Sequence, residues 1–92
     1  MDAEIDDKSC IADGCIIKPR AKIINSCLGK GVVIAENSIV QNSVIWAGTK
    51  VSSSTNVFGS IIGNECRIGK NAFISSGSVL GDKTIVANYA SY

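Results

Sequence analysis

Few side chains in this 92-residue chain are equipped for chemistry: four cysteines, at 10, 15, 27 and 66, and no histidine. The cysteines include no Cys-x-x-Cys pair, so without histidine they lack the ligand spacing of a zinc site. The only Gly-x-Gly, Gly29-Lys30-Gly31, lacks the rest of a phosphate-binding fingerprint and opens no helix. From these residues no catalytic, cofactor-binding or metal-binding site is expected. Nine Lys plus Arg stand against eight Asp plus Glu, a net charge of +1 with no basic run. That balance gives no reason to expect nucleic acid or an anionic membrane as partner.

What positions these residues is a repeat. Ser9-Cys10-Ile11-Ala12-Asp13-Gly14-Cys15 recurs in altered form from Ser26, Ser43, Ser60 and Ser78, at steps of 17, 17, 17 and 18. A fixed period of this size marks stacked units that cannot bury an apolar face alone. Within it, Ile11, Ile17, Ile23, Leu28, Ile34, Val40, Ile45, Val51, Val57, Ile62, Ile68, Ile74, Leu80 and Val86 are spaced 6, 6 and 5 apart. Ile, Leu and Val supply only 24 of the 92 residues, so filling every such slot is not chance placement. Two positions before each aliphatic stands a smaller residue, among them Ser9, Cys15, Ala21, Ser26 and Val32. Residues two apart in a strand share a face, so each segment sends one small and one large side chain inward and then turns.

Three short strands and three corners per period describe a triangular coil. Five such coils at about 4.8 Å per rung make a prism about 20 to 25 Å long, with like residues over like: Ile17, Ile34, Val51, Ile68. The narrow interior near each corner accounts for the small partner. Corner pairs such as Asp13-Gly14, Pro19-Arg20, Glu36-Asn37, Lys70-Asn71 and Asp82-Lys83 contain residues suited to turns. The sides ending Asn25-Ser26, Asn42-Ser43 and Gly59-Ser60 are one residue shorter and predict a tighter third corner.

No Pro-rich or Gly/Ser-rich linker divides residues 1–92, which read as a single domain. The acidic start Met1-Asp2-Ala3-Glu4-Ile5-Asp6-Asp7-Lys8 is not a secretory signal, and no apolar run approaches membrane length. A cytoplasmic location is the expectation. In the repeat register Cys15 and Cys66 point inward three coils apart, too distant for a disulfide. Cys10 and Cys27 point outward on adjacent rungs, where a bridge is geometrically conceivable but cytosolic thiols stay reduced.

The hexads Ile34-Ala35-Glu36-Asn37-Ser38-Ile39 and Ile68-Gly69-Lys70-Asn71-Ala72-Phe73 resemble the bacterial hexapeptide repeat, and the resemblance extends from about Ile5 to the C-terminus. It implies an all-β fold, the left-handed parallel β-helix. That hand comes from the resemblance alone, since the general rule for parallel crossovers favours the right-handed form. The steps Asn25-Ser26-Cys27-Leu28-Gly29 and Asn42-Ser43-Val44-Ile45-Trp46 further resemble the C-terminal domains of sugar-phosphate nucleotidyltransferases. Mannose-1-phosphate guanylyltransferases and glucose-1-phosphate adenylyl- or thymidylyltransferases are of this kind. In such enzymes a Rossmann-like domain with a Gly-rich loop performs the reaction, and nothing like it occurs in these residues. Two other activities on this fold, acyl transfer with a His general base and zinc-dependent carbonic anhydration through three His, find no His here.

Function is then expected on the outer surface. One face carries Cys10, Cys27, Val44, Ile61 and Val79, all apolar. The other two read Ile16, Val33, Lys50, Arg67, Ile85 and Lys22, Ile39, Asn56, Phe73, both mixed. β-Branched residues favour strands whether exposed or not, but an uninterrupted apolar ladder is the kind of patch that marks a contact surface. The five residues of the ladder are expected to form an interface, either in a homo-oligomer or against a nucleotidyltransferase catalytic domain. Trp46 and Phe58 stand at corners where they would extend it. The resulting reading is a non-catalytic assembly or regulatory domain. An acyltransferase-like protein binding its acyl donor between neighbouring prisms, and a free-standing scaffold subunit, are the alternatives.

Overall fold

The computed structural model describes residues 3–92, so Met1 and Asp2 of the acidic start lie outside the described residues. The chain winds through β1 (Glu4–Ile5), β2 (Cys10–Ile11) and β3 (Ile16–Ile17), and then through β4 (Lys22–Ile24), β5 (Cys27–Leu28) and β6 (Val33–Ile34). A third coil holds β7 (Ile39–Gln41), β8 (Val44–Ile45) and β9 (Lys50–Val51). A fourth holds β10 (Asn56–Phe58), β11 (Ile61–Ile62) and β12 (Arg67–Ile68), and the fifth β13 (Phe73–Ile74), β14 (Val79–Leu80) and β15 (Ile85–Val86). Every third strand pairs in parallel, giving three five-stranded sheets: β1-β4-β7-β10-β13, β2-β5-β8-β11-β14 and β3-β6-β9-β12-β15. The fold is a left-handed parallel β-helix of about five coils, 27 × 22 × 21 Å across its Cα atoms.

The expected ladders are the register pairs. Ile17 lies on Ile34, Ile34 on Val51 and Val51 on Ile68, and Val86 completes that column. Ile23, Val40, Val57 and Ile74 form another, fully buried. Ile5 precedes them on Ile23 and adds Glu4 to an outward row that the sequence reading began only at Lys22. The end coils differ from the expectation of an all-inward set. Ile11 is exposed and Ile17 half-buried, because the first coil has a neighbour on one side only.

Corner geometry follows the turn residues. The second member of each predicted pair has positive φ, including Gly14, Arg20, Asn37, Asn71 and Lys83, and the tighter corner turns through Asn25, Asn42 and Gly59 alone. At Gly29 a second constraint acts, since a Cβ there would come within 2.6 Å of the Ala47 amide nitrogen in the coil above. The Gly29-Lys30-Gly31 stretch is thus a corner whose first glycine admits the neighbouring coil.

The small inward residues do more than fit. Ser26 N donates to Ser9 Oγ at 3.1 Å, Ser43 N to Ser26 Oγ at 3.1 Å and Ser60 N to Ser43 Oγ at 3.2 Å, so the serines sit one above another as a hydrogen-bonded ladder. At the 18-residue step the pattern changes: Ser60 Oγ donates to Ser75 O at 2.9 Å, and Ser78 N turns back to Ser75 O at 3.3 Å. The extra residue there widens the corner, so an amide bonds within its own turn. Elsewhere Thr49 Oγ1 donates to Gly63 O at 2.7 Å and accepts from Cys66 N at 3.1 Å. Among the described residues no buried side-chain nitrogen or oxygen lacks a partner. Substituting Thr49→Val keeps the shape but strands the buried Cys66 amide. It should cost about 1 to 3 kcal/mol in urea denaturation, whereas Thr49→Ser should recover most of that loss.

Candidate interaction surface

A two-residue strand in this coil has one residue inside and one outside, so the outer surface is set by one residue per strand. On the β2-β5-β8-β11-β14 sheet the outward positions are register partners in unbroken sequence: Cys10, Cys27, Val44, Ile61 and Val79. All five are exposed, Val44 at 36%, Ile61 at 47% and Val79 at 71%. Their inward neighbours Leu28, Ile45, Ile62 and Leu80 are buried, which holds the outward residues in one straight column. Trp46, 52% exposed, follows β8 directly and extends the column toward the next corner. Phe58 does not extend it in the same way. Its ring packs edge-to-face on Phe73 of the adjacent strand in its own sheet, with centroids 5.6 Å apart.

The other two outer rows are mixed. One runs Glu4, Lys22, Ile39, Asn56, Phe73, and the other Ile16, Val33, Lys50, Arg67, Ile85. The sequence identified the faces but not the contacts between the residues on them.

The four cysteines are free thiols, two inside and two outside. Cys66 is buried and Cys15 partly so, each with its sulfur near a corner carbonyl: Cys15 Sγ lies 3.1 Å from Gly29 O, and Cys66 Sγ 3.0 Å from Gly81 O. They therefore occupy the place that Ser and Thr hold on other rungs. Cys10 and Cys27 are exposed register partners. The Cys27 thiol is pushed above its ordinary value, mainly by hydrogen bonding with Cys10 and secondarily by desolvation. Among the described residues no group of three or more His, Cys, Asp or Glu side chains is gathered as metal ligands. Among the described residues no helix is long and apolar enough to cross a membrane.

A family model described as the EIF2B subunit epsilon LbH domain, LbH denoting a left-handed β-helix, matches residues 1–91. No curated protein matches the chain. Among solved structures, a hexapeptide transferase family protein from Anaplasma phagocytophilum is 21% identical, with a TM-score of 0.64 over 94% of this chain and 70% of its own. The acetyltransferase domain of PglB from Neisseria gonorrhoeae FA1090 is 18% identical, with a TM-score of 0.56 over 98% of this chain, which spans 48% of that longer one. The CcmM N-terminal domain, solved in complex with CcmN, is 21% identical with a TM-score of 0.50, covering 99% of this chain and 90% of its own. At such identities the likeness is one of fold.

Only the thiolate is nucleophilic, so the raised Cys27 value delays its reaction. Alkylation of Cys27 by iodoacetamide should reach half its maximal rate at a higher pH than that of an ordinary exposed cysteine. Cys10→Ala should move that midpoint down, and peptide mass mapping across a pH series reads both.

Proposed function

The chain belongs to the EIF2B subunit epsilon LbH domain family, within the hexapeptide-repeat superfamily, and from that premise we propose a non-catalytic assembly domain that self-associates through its apolar sheet. The observation that carries this reading is the unbroken outward row Cys10, Cys27, Val44, Ile61 and Val79.

Such a row is complementary to itself. Two copies related by a two-fold axis through Val44 would set Cys10 against Val79 and Cys27 against Ile61, apolar on apolar at each rung. The same operation on the sheet bearing Lys50 would place that lysine against its own copy, a like-charge contact. Area also suffices. Three sides and two ends share 5044 Å² of accessible surface, so one side offers about 1,000 Å² against the roughly 800 Å² per partner of a standard interface.

The finer reading is that the domain does this for a sugar-phosphate nucleotidyltransferase-like subunit, with chemistry on a separate catalytic domain. Two observations support it: the matching family is described as a domain of a larger subunit, and the Asn-Ser-Val-Ile step at Asn42–Ile45 resembles nucleotidyltransferase C-terminal domains. A fold neighbour solved in complex with another protein is consistent with a β-helix that presents binding faces. The acyltransferase reading draws on the names of two fold neighbours, a likeness of fold only, and these 92 residues offer no His as base.

The test is solution mass. The unmodified domain should sediment as a dimer at micromolar concentration. Val44→Glu with Ile61→Glu should reduce it to the monomer mass while leaving the β-sheet circular dichroism unchanged. Asn56→Glu, on another sheet, should leave the dimer intact. Equal masses for the unmodified and doubly substituted proteins would show that the apolar sheet is not the interface.

A further inference from the structure

The sheet formed by β3, β6, β9, β12 and β15 contains an arrangement that stability alone does not favour. Lys50 and Arg67 are direct register partners, both exposed on adjacent rungs. Backbones of neighbouring strands lie about 4.8 Å apart, and like charges set opposite each other across strands repel. Lys83 joins them on the same open hollow of about 530 Å³, whose lining is completed by Gly48, Glu65 and Ile85. Three cations and one carboxylate therefore line one hollow on a chain whose net charge is only +1. Gly48 keeps the floor low, for a Cβ there would stand 3.1 Å from Glu65 Cγ.

We infer that this hollow is a binding site for a small multivalent phosphate, such as inorganic diphosphate or a phosphate monoester. The Arg67 guanidinium offers a planar fork of donors to two phosphate oxygens, while Lys50 and Lys83 act as point charges on the remainder. A phosphate with three or more acceptor oxygens engages all three side chains together, which a single carboxylate with two oxygens does not. Binding converts the Lys50–Arg67 repulsion into a shared attraction. The site lies on a different sheet from the proposed self-association face, so it stands or falls independently of that reading.

The probe is inorganic diphosphate, titrated at ionic strength held constant with potassium chloride, with amide NMR shifts and the thermal midpoint recorded. Saturable shifts confined to Gly48, Lys50, Glu65, Arg67 and Lys83, with a rise in midpoint, are expected. Arg67→Gln should raise the midpoint of the free protein, because the repulsion is gone, and weaken diphosphate binding by roughly tenfold or more. Lys50→Gln should show the same pair of effects, and Lys22→Gln neither. The Val44→Glu, Ile61→Glu protein should bind as the unmodified one does. Shifts that are non-saturable or spread over the surface, or affinity unchanged in both Arg67→Gln and Lys50→Gln, would overturn the site.

Discussion

Each coil of this protein obtains its backbone hydrogen bonds from the coils above and below it, and from almost nowhere else. A strand of two residues has no partner within its own turn. Lys22 N reaches Ser38 O at 2.8 Å, and Val33 N reaches Thr49 O at 3.0 Å, each one coil away. Pairing of this kind holds only while each strand returns to the same register, because a slip by one within a strand would turn every inward side chain outward; the extra residue of the 18-residue step is absorbed at a corner, and Ile61 still pairs with Val79. The 17-residue period is the consequence. It also explains where the fold is weakest: Ile11, an inward residue, is exposed because the first coil has a neighbour on one side only.

Much of this was legible because inward positions obey two restrictions at once. They must be aliphatic to fill the interior, and they must recur at the spacing of the coil. Ile23, Val40, Val57 and Ile74 satisfy both and are buried where the pattern places them. Corners were legible for a similar reason, since positive φ selects Gly and Asn. Arg20, Glu65 and Tyr89 adopt it as well, so position within the repeat outweighs residue preference there. The serine hydroxyls were read as a matter of size, yet their bonds to the next coil's amide are what distinguish Ser43 from an alanine. That role was hidden because spacing reveals which side chains share a face and does not reveal where a hydroxyl proton points. The inserted residue near Ser75 was visible as an 18-residue step, but its effect, the loss of the ladder bond at Ser78, needed coordinates.

Outward residues carry no such restriction, and it is there that the three sides of the prism diverge. The inner ladders would tolerate any solvent-compatible residue at positions 44, 50, 61 and 67. Instead one sheet keeps Val44 beside Ile61, and another keeps Lys50 beside Arg67. Each pairing is unfavourable for an isolated prism, the first by exposing apolar surface and the second by crowding like charge. The two partners proposed above, one apolar and one anionic, would each relieve one of these departures. The Phe58–Phe73 contact shows the opposite solution, in which a half-buried and an exposed aromatic on the remaining sheet pack on each other.

Register, kept from coil to coil with any extra residue confined to a corner, holds the molecule together. Duplicating residues 43–59 directly after Gly59 adds one whole coil, and the same insertion without its copy of Ile45 removes a residue from within a strand and breaks the register. Stability of stacked repeats grows with the number of matched interfaces. Thermal unfolding followed by circular dichroism should therefore show a higher midpoint for the 17-residue insertion and a lower one, or no cooperative transition, for the 16-residue insertion. Equal midpoints for the two proteins would show that register does not hold the coils together.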